Sequence, residues 1–128
     1  MRNELILYIV NIVERCIRCI HEIYDNNPKH LENRVKRDTI ILNLQRACEG
    51  CITLAMHIVA EKKIGLPHNN MEAFNLLETG GVIPSSLSKK MKDLLLKDYQ
   101  DINLDSLKKI LDHRLVDFFH YTKTILSY

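Results

Sequence analysis

Helix breakers are few in this chain, and they are clustered. Its 128 residues hold four glycines and three prolines, and all but Gly50 fall at residue 28, at residues 65–67 or at residues 80–84. Long irregular loops are therefore disfavoured, and the stretches between breakers are long enough for helices. Residues 4–24 carry apolar side chains at Leu5, Ile9, Ile12, Val13, Cys16, Ile20 and Ile23. These three- and four-residue steps are the helical period, with Glu4, Asn11, Arg15, Arg18 and Glu22 largely on the other side. "DNNPK" ends that helix, because Pro28 cannot continue it.

A second long helix is expected from about Leu31 or Asp38 to about Lys63. Its stripe is Ile41, Leu44, Cys48, Cys51, Ala55, Ile58 and Val59, and Gly65 with Pro67 stops it. Asn70 is expected to cap a short helix over Met71 to Glu78, ended by "TGG". Pro84, Ser85 and Ser86 open a fourth helix that holds "MKDLLLKDYQ", and "YQDIN" breaks it. Asn103 or Asp105 caps a last helix through about Ile125, with Leu107, Leu111, Leu115 and Phe118 on one face. Tryptophan is absent and aromatics are 6% of the chain, which fits helices better than a sheet of aromatic pairs. The expected fold is all-α: an up-and-down bundle of four to five helices forming one domain over residues 1–128.

A net charge of +2 is too small to imply nucleic-acid binding by itself. The local pattern says more. Lys29, Arg34, Lys36 and Arg37 form one basic cluster, and Lys89, Lys90, Lys92 and Lys97 form another. Such a run is usually a solvated face. The apolar run "LILYIVNIV" is interrupted by Asn11 and ended by Glu14 and Arg15. It lacks the flank of a secretory signal and the length of a bilayer span, so a cytoplasmic protein away from membranes is expected.

Two Cys-X-X-Cys pairs, Cys16 with Cys19 and Cys48 with Cys51, could in principle supply four thiolates to zinc. Both lie in or beside helical apolar stripes, where cysteine packs as a small hydrophobe, so core packing is expected and no metal. His113, Asp117 and His120 share one side of the last helix. They lack the glutamate of a zinc-protease motif and the repeated Glu-X-X-His of di-iron bundles, so a solvated or interface face is expected. His21, His30, His57 and His68 have no partner at a recognisable spacing. No glycine-rich phosphate loop or serine elbow is present, and no cofactor is implied.

Within "MKDLLLKDYQ", Lys92, Lys97 and Tyr99 are spaced so that a helix end or tight turn could present them to one cleft. A cation near a helix C-terminus is stabilising by about 0.3–1 kcal/mol, which alone would account for Lys97. The alternative is a phosphate-facing cluster with a phenol nearby.

The order of three segments bears on that choice. "TIILNLQRACEGCITLAMHIV", "GLPHNNMEAFNLLETGGVIPSSLSKKMK" and "KDYQDINLDSLKKILDHRLVDFFHYTKTI" follow one another. Together they resemble the HepT-like proteins of the HEPN superfamily over nearly the whole chain. The likeness is closest in the second helix, in "AFNLLETGGVIP" and in "DYQDINLD". No single short motif carries it; the ordered set does. The resemblance implies a HEPN-like bundle that forms a homodimer, with two copies of an Arg-X4-His-X-Tyr motif across one cleft. In the family that cleft cuts RNA without a metal, the histidine serving as acid/base and the arginine clamping phosphate. Family members are toxins paired with a small MntA-like nucleotidyltransferase antitoxin, which attaches AMP to the motif tyrosine.

Carried over by position, Tyr99 matches that tyrosine and Asp98 its usual neighbour. Lys97 stands where the histidine belongs, Lys92 where the arginine belongs, and Asp93 where asparagine commonly follows. The stretch is also a few residues short before Lys92. Lysine as a base near neutral pH must lose about 4 kcal/mol of charge stabilisation that an imidazole need not. Lysine also lacks the bidentate fork of arginine on phosphate. Phosphate attraction should therefore survive these changes better than catalysis, and weak or no cleavage is expected. The alternative reading is a non-catalytic dimer that binds nucleotide, RNA or the partner transferase. A metal-binding bundle built on the two cysteine pairs is a third reading.

Overall fold

A computed structural model describes residues 3–128, and these are helical almost throughout. Helix α1 spans Glu4–Tyr24 and α2 spans Arg34–Lys62, joined through a 3-10 turn over Pro28–Glu32. Then come α3 (Asn70–Thr79), α4 (Ser85–Leu95), α5 (Leu104–His113) and α6 (Leu115–Ser127). No strand occurs among the described residues. The all-α expectation holds, with six helices in place of four to five.

The caps follow local chemistry. Asn3, Asn33, Asn69 and Asn103 each accept a hydrogen bond from a first-turn backbone N–H of the helix that follows. Asn69, not Asn70, therefore caps α3; the neighbouring asparagine is already helical. Helix α2 ends on Lys63, whose φ of 54° is the left-handed C-cap conformation, so its stop comes before Gly65. Gly65 instead makes room for a neighbour: a Cβ there would lie 3.0 Å from Leu76 Cδ2.

Helices α1 and α2 pack along each other and anchor the bundle. Asn3 Nδ2 donates to Glu61 at 3.0 Å, tying the start of α1 to the end of α2. Between them sits Gly50, where a Cβ would come 2.6 Å from Val13 Cγ2. The mid-helix glycine is thus explained by close approach of the two backbones. The predicted stripe of α2 is buried except for Ile41, which is half-buried. In α1 the predicted Ile9, Val13, Cys16 and Ile20 are buried, while the edges of the stripe differ. Leu5 is exposed, Ile12 and Ile23 are half-buried, and Ile6, Val10, Ile17 and Tyr24 face the core. The helix is apolar on more than one face near its start, so period alone did not select the buried one.

Helix α6 lies against α1 and α4, and α3 against α2 and α4. Two contacts fix the centre: Tyr121 donates to the Cys51 carbonyl at 3.0 Å, and its ring packs on Phe74 with centroids 5.6 Å apart. Tyr24 donates to Asp112 at 2.7 Å, joining the end of α1 to the end of α5.

The expected single C-terminal helix is two helices broken at Arg114. Leu107, Leu111, Leu115 and Phe118 remain buried across the break. Neither glycine nor proline marks it. Instead the Arg114 side chain is held by groups far away in sequence, described below.

Candidate functional site

Helix α4 stops at Leu95, so only Lys92 of the three candidate residues is helical. Lys97 and Tyr99 lie in the turn that follows. Tyr99 governs the shape of that turn. Its ring is 4% exposed, and its hydroxyl donates to the Leu94 carbonyl at 2.8 Å. A carbonyl in the last turn of a helix has no intrahelical partner, so the phenol caps α4 from below. Burial raises its pKa well above the ordinary phenol value, and the nearby Cys48 thiol adds to this. Asp98 Oδ1 accepts from Gln100 N at 3.1 Å, closing an Asx turn over the buried ring.

Lys92 and Lys97 diverge. Lys92 is half-buried and its Nζ donates to Asn75 Oδ1 on α3 at 2.6 Å. Lys97 is exposed, with Nζ 4.0 Å from Asp93 Oδ2. It lines a cavity of about 310 Å³ with Ser106, Lys109, Ile110, His113 and Arg114. On its other side it borders a second cavity of about 250 Å³, together with Tyr99, Cys48 and Gln45. Lys92 lines neither. Within one chain the three motif positions therefore do not open onto a common cleft, because the helix ends between the two lysines.

Arg114 organises the region, and nothing in its local sequence indicated this. Its Nη1 donates to Asp93 Oδ2 at 2.9 Å, its Nε to Asp117 Oδ2 at 2.7 Å and its Nη2 to the Lys90 carbonyl at 3.0 Å. One guanidinium thus staples the last turns of α4 to the α5–α6 junction. Burial works against its charge, but the bonds to Asp117 and Asp93 more than offset that, and its pKa is raised. Asp93 in turn is held below the usual carboxylate range, chiefly by its bond to Arg114 and further by Lys97. Arg114 is committed to two carboxylates.

The shared face expected for His113, Asp117 and His120 is divided by the break at Arg114. His113 is exposed at the end of α5, His120 is exposed on α6, and Asp117 is buried against Arg114. Among the described residues no group of three His, Cys, Asp or Glu side chains is placed to hold a metal. Cys16, Cys48 and Cys51 are buried in the core and Cys19 is half-buried, which is the packing role expected of them. Desolvation pushes the Cys48 thiol up to about 12, with hydrogen bonding to Tyr99 acting the other way. Such a thiol is a poor nucleophile. No helix among the described residues is long and apolar enough to cross a membrane.

The fold and the sequence both find relatives. A family model described as "Ribonuclease HepT-like" matches residues 13–125. The chain is 32% identical to the "mRNA nuclease HepT" of Shewanella oneidensis, covering 96% of this chain and 97% of that protein. It superposes with a TM-score of 0.90 on the tri-AMPylated Shewanella oneidensis HEPN toxin, solved in complex with an MNT antitoxin. The identity there is 31%, over 99% of this chain and 100% of that one. A toxin–antitoxin crystal structure with AMP-PNP matches with a TM-score of 0.89 at 30% identity, over 98% of this chain and 100% of that one. With most of its length matched by the family model and a full-length relative above 30% identity, this chain belongs to the ribonuclease HepT-like family.

Proposed function

We propose that this protein is the toxin-side member of a toxin–antitoxin pair. It acts in the cytoplasm as a homodimer of one helical domain over residues 1–128, with a nucleotidyltransferase as its partner. A full-length likeness to a HEPN toxin solved with its antitoxin supports the pairing. One buried cluster drawn from all six helices supports the single domain. We further propose that the motif region binds RNA and cleaves it weakly or not at all. The observation that carries this is the chemistry at the motif positions. Lys92 and Lys97 are ammonium groups without an imidazole or a guanidinium fork, and Lys92 is already bonded to Asn75. An ammonium attracts phosphate as a point charge but does not orient it bidentately. It also does not exchange protons readily near neutral pH.

The direct test incubates purified protein with mRNA or tRNA in EDTA. Intact RNA, retarded on a gel, is the expected result. Cleavage that disappears in Lys97→Ala would overturn the binding-only reading and establish an enzyme.

Tyr99 is proposed as the acceptor for AMP from the partner. Its hydroxyl is buried against the Leu94 carbonyl, so transfer requires the turn at residues 96–100 to release the ring. Co-expression with an active transferase should then add AMP mass to Tyr99 slowly and incompletely. No added mass, with transferase activity verified on another substrate, would remove this assignment.

A further inference from the structure

We propose that the cavity between Lys97 and α5 is a phosphodiester subsite for a single RNA strand, with Lys109, His113 and Ser106 as its contacts beyond the motif. This deepens the RNA-binding reading and rests on it. Ser106, Lys109 and His113 stand at i, i+3 and i+7 on α5, so all three project from one face of that helix. Lys97 and Ile110 line the same space of about 310 Å³. The polar groups are a hydroxyl, two ammonium groups and an imidazole, beside an Arg114 guanidinium already engaged by Asp93 and Asp117, and no carboxylate lines the cavity. Such a set offers hydrogen-bond donors and positive charge to a phosphate oxygen, and little to a cation.

The two carboxylates bonded to Arg114 are already engaged. Asp117 is buried against Arg114, and Asp93 takes the Arg114 Nη1. The same Asp93 oxygen lies 2.9 Å from Arg114 Nη1 and 4.0 Å from Lys97 Nζ. That shared oxygen holds the motif turn against the end of α5, so Lys97 and His113 face one space. Among the described residues Lys109 makes no ion pair, so its charge is available to a ligand. A strand whose phosphate rests on Lys97 would meet Ser106 and Lys109 in the same cavity.

The test is fluorescence anisotropy with a labelled single-stranded oligoribonucleotide, repeated at several salt concentrations. Lys109→Ala should weaken binding about three- to tenfold and lower the slope of log K against log salt by about 0.7, the loss of one phosphate contact on a single strand. His113→Ala should weaken binding less. Lys123→Ala removes an equal charge from another cavity, toward the far end of α6, and should change neither affinity nor slope. Circular dichroism checks that each variant is folded; all three side chains are exposed. Equal effects of Lys109→Ala and Lys123→Ala would overturn the subsite, because net charge alone would explain them. Binding lost in Lys97→Ala but unchanged in Lys109→Ala and His113→Ala would overturn the subsite and leave RNA binding at the motif standing. No binding by the unaltered protein would overturn both.

Discussion

The α1–α2 seam and the polar knot around Arg114 hold the molecule together in opposite ways. The seam is apolar and local in its logic. Buried residues recur along each helix, and Gly50 opposite Val13 lets the backbones approach. The knot is built from residues 90, 93, 114 and 117, joined by one guanidinium. A seam of this kind tolerates small changes in shape at a graded cost. A knot whose members depend on one side chain leaves several polar groups without partners when that side chain is lost. The motif turn meets the knot through Asp93, whose Oδ2 lies 4.0 Å from Lys97 Nζ, so the position of Lys97 depends on the knot as well as on the buried Tyr99.

The comparison can be broken at either end. Phe74→Ala, at the centre of the core against Tyr121, should cost about 3–5 kcal/mol in urea unfolding, the largest effect expected here. Arg114→Ala should cost about 2–3 kcal/mol, because Asp117 is then buried without its partner. It should also weaken RNA binding, whereas Phe74→Ala at a temperature where it remains folded should not. An Arg114→Ala protein with undiminished RNA binding would show that the knot does not position the turn. Gly50→Ala should cost about 1–2 kcal/mol, the clash with Val13 outweighing the helix propensity gained. A stabilised Gly50→Ala would mean that the seam yields more easily than its geometry suggests. Tyr99→Phe should cost about 1 kcal/mol through the Leu94 carbonyl it uncaps.

The knot also has a pH signature that the seam lacks. Asp93 has its pKa depressed by Arg114 and Lys97. A depressed carboxylate contributes stability that is fully present above its unfolded value and is lost as pH falls through its folded value. Urea midpoints should therefore fall in the acid range, below the ordinary carboxylate value. The Asp93→Asn protein should lose less over that range than the unaltered one.

Much of the seam was legible in the sequence because periodicity encodes it. The stripe of α2 from Leu44 to Val59 is buried as its spacing predicts. The stripe of α1 is buried as expected at Ile9, Val13, Cys16 and Ile20 but not at its edges, since Leu5, Ile6 and Leu7 offer apolar side chains in succession and only packing chooses among them. The knot was not legible. Arg114 meets Asp93 and Lys90 from more than twenty residues away, a pairing no local pattern announces. The turn after Leu95 was missed for a different reason, because the contact that sets it is local but not helical. What ends α4 is a tyrosine folding back onto the Leu94 carbonyl, while Lys97 and Asp98 alone would permit another turn of helix. The family, by contrast, was legible in the order of segments.

One measurement tests the central claim, that the motif positions hold RNA but do not cut it. End-labelled RNA is incubated in EDTA with the unaltered protein and with the Lys92→Arg, Lys97→His double variant. The account predicts that the unaltered protein binds the RNA and leaves it intact, and that the double variant cleaves it. Cleavage by the unaltered protein, lost in Lys97→Ala, would contradict it.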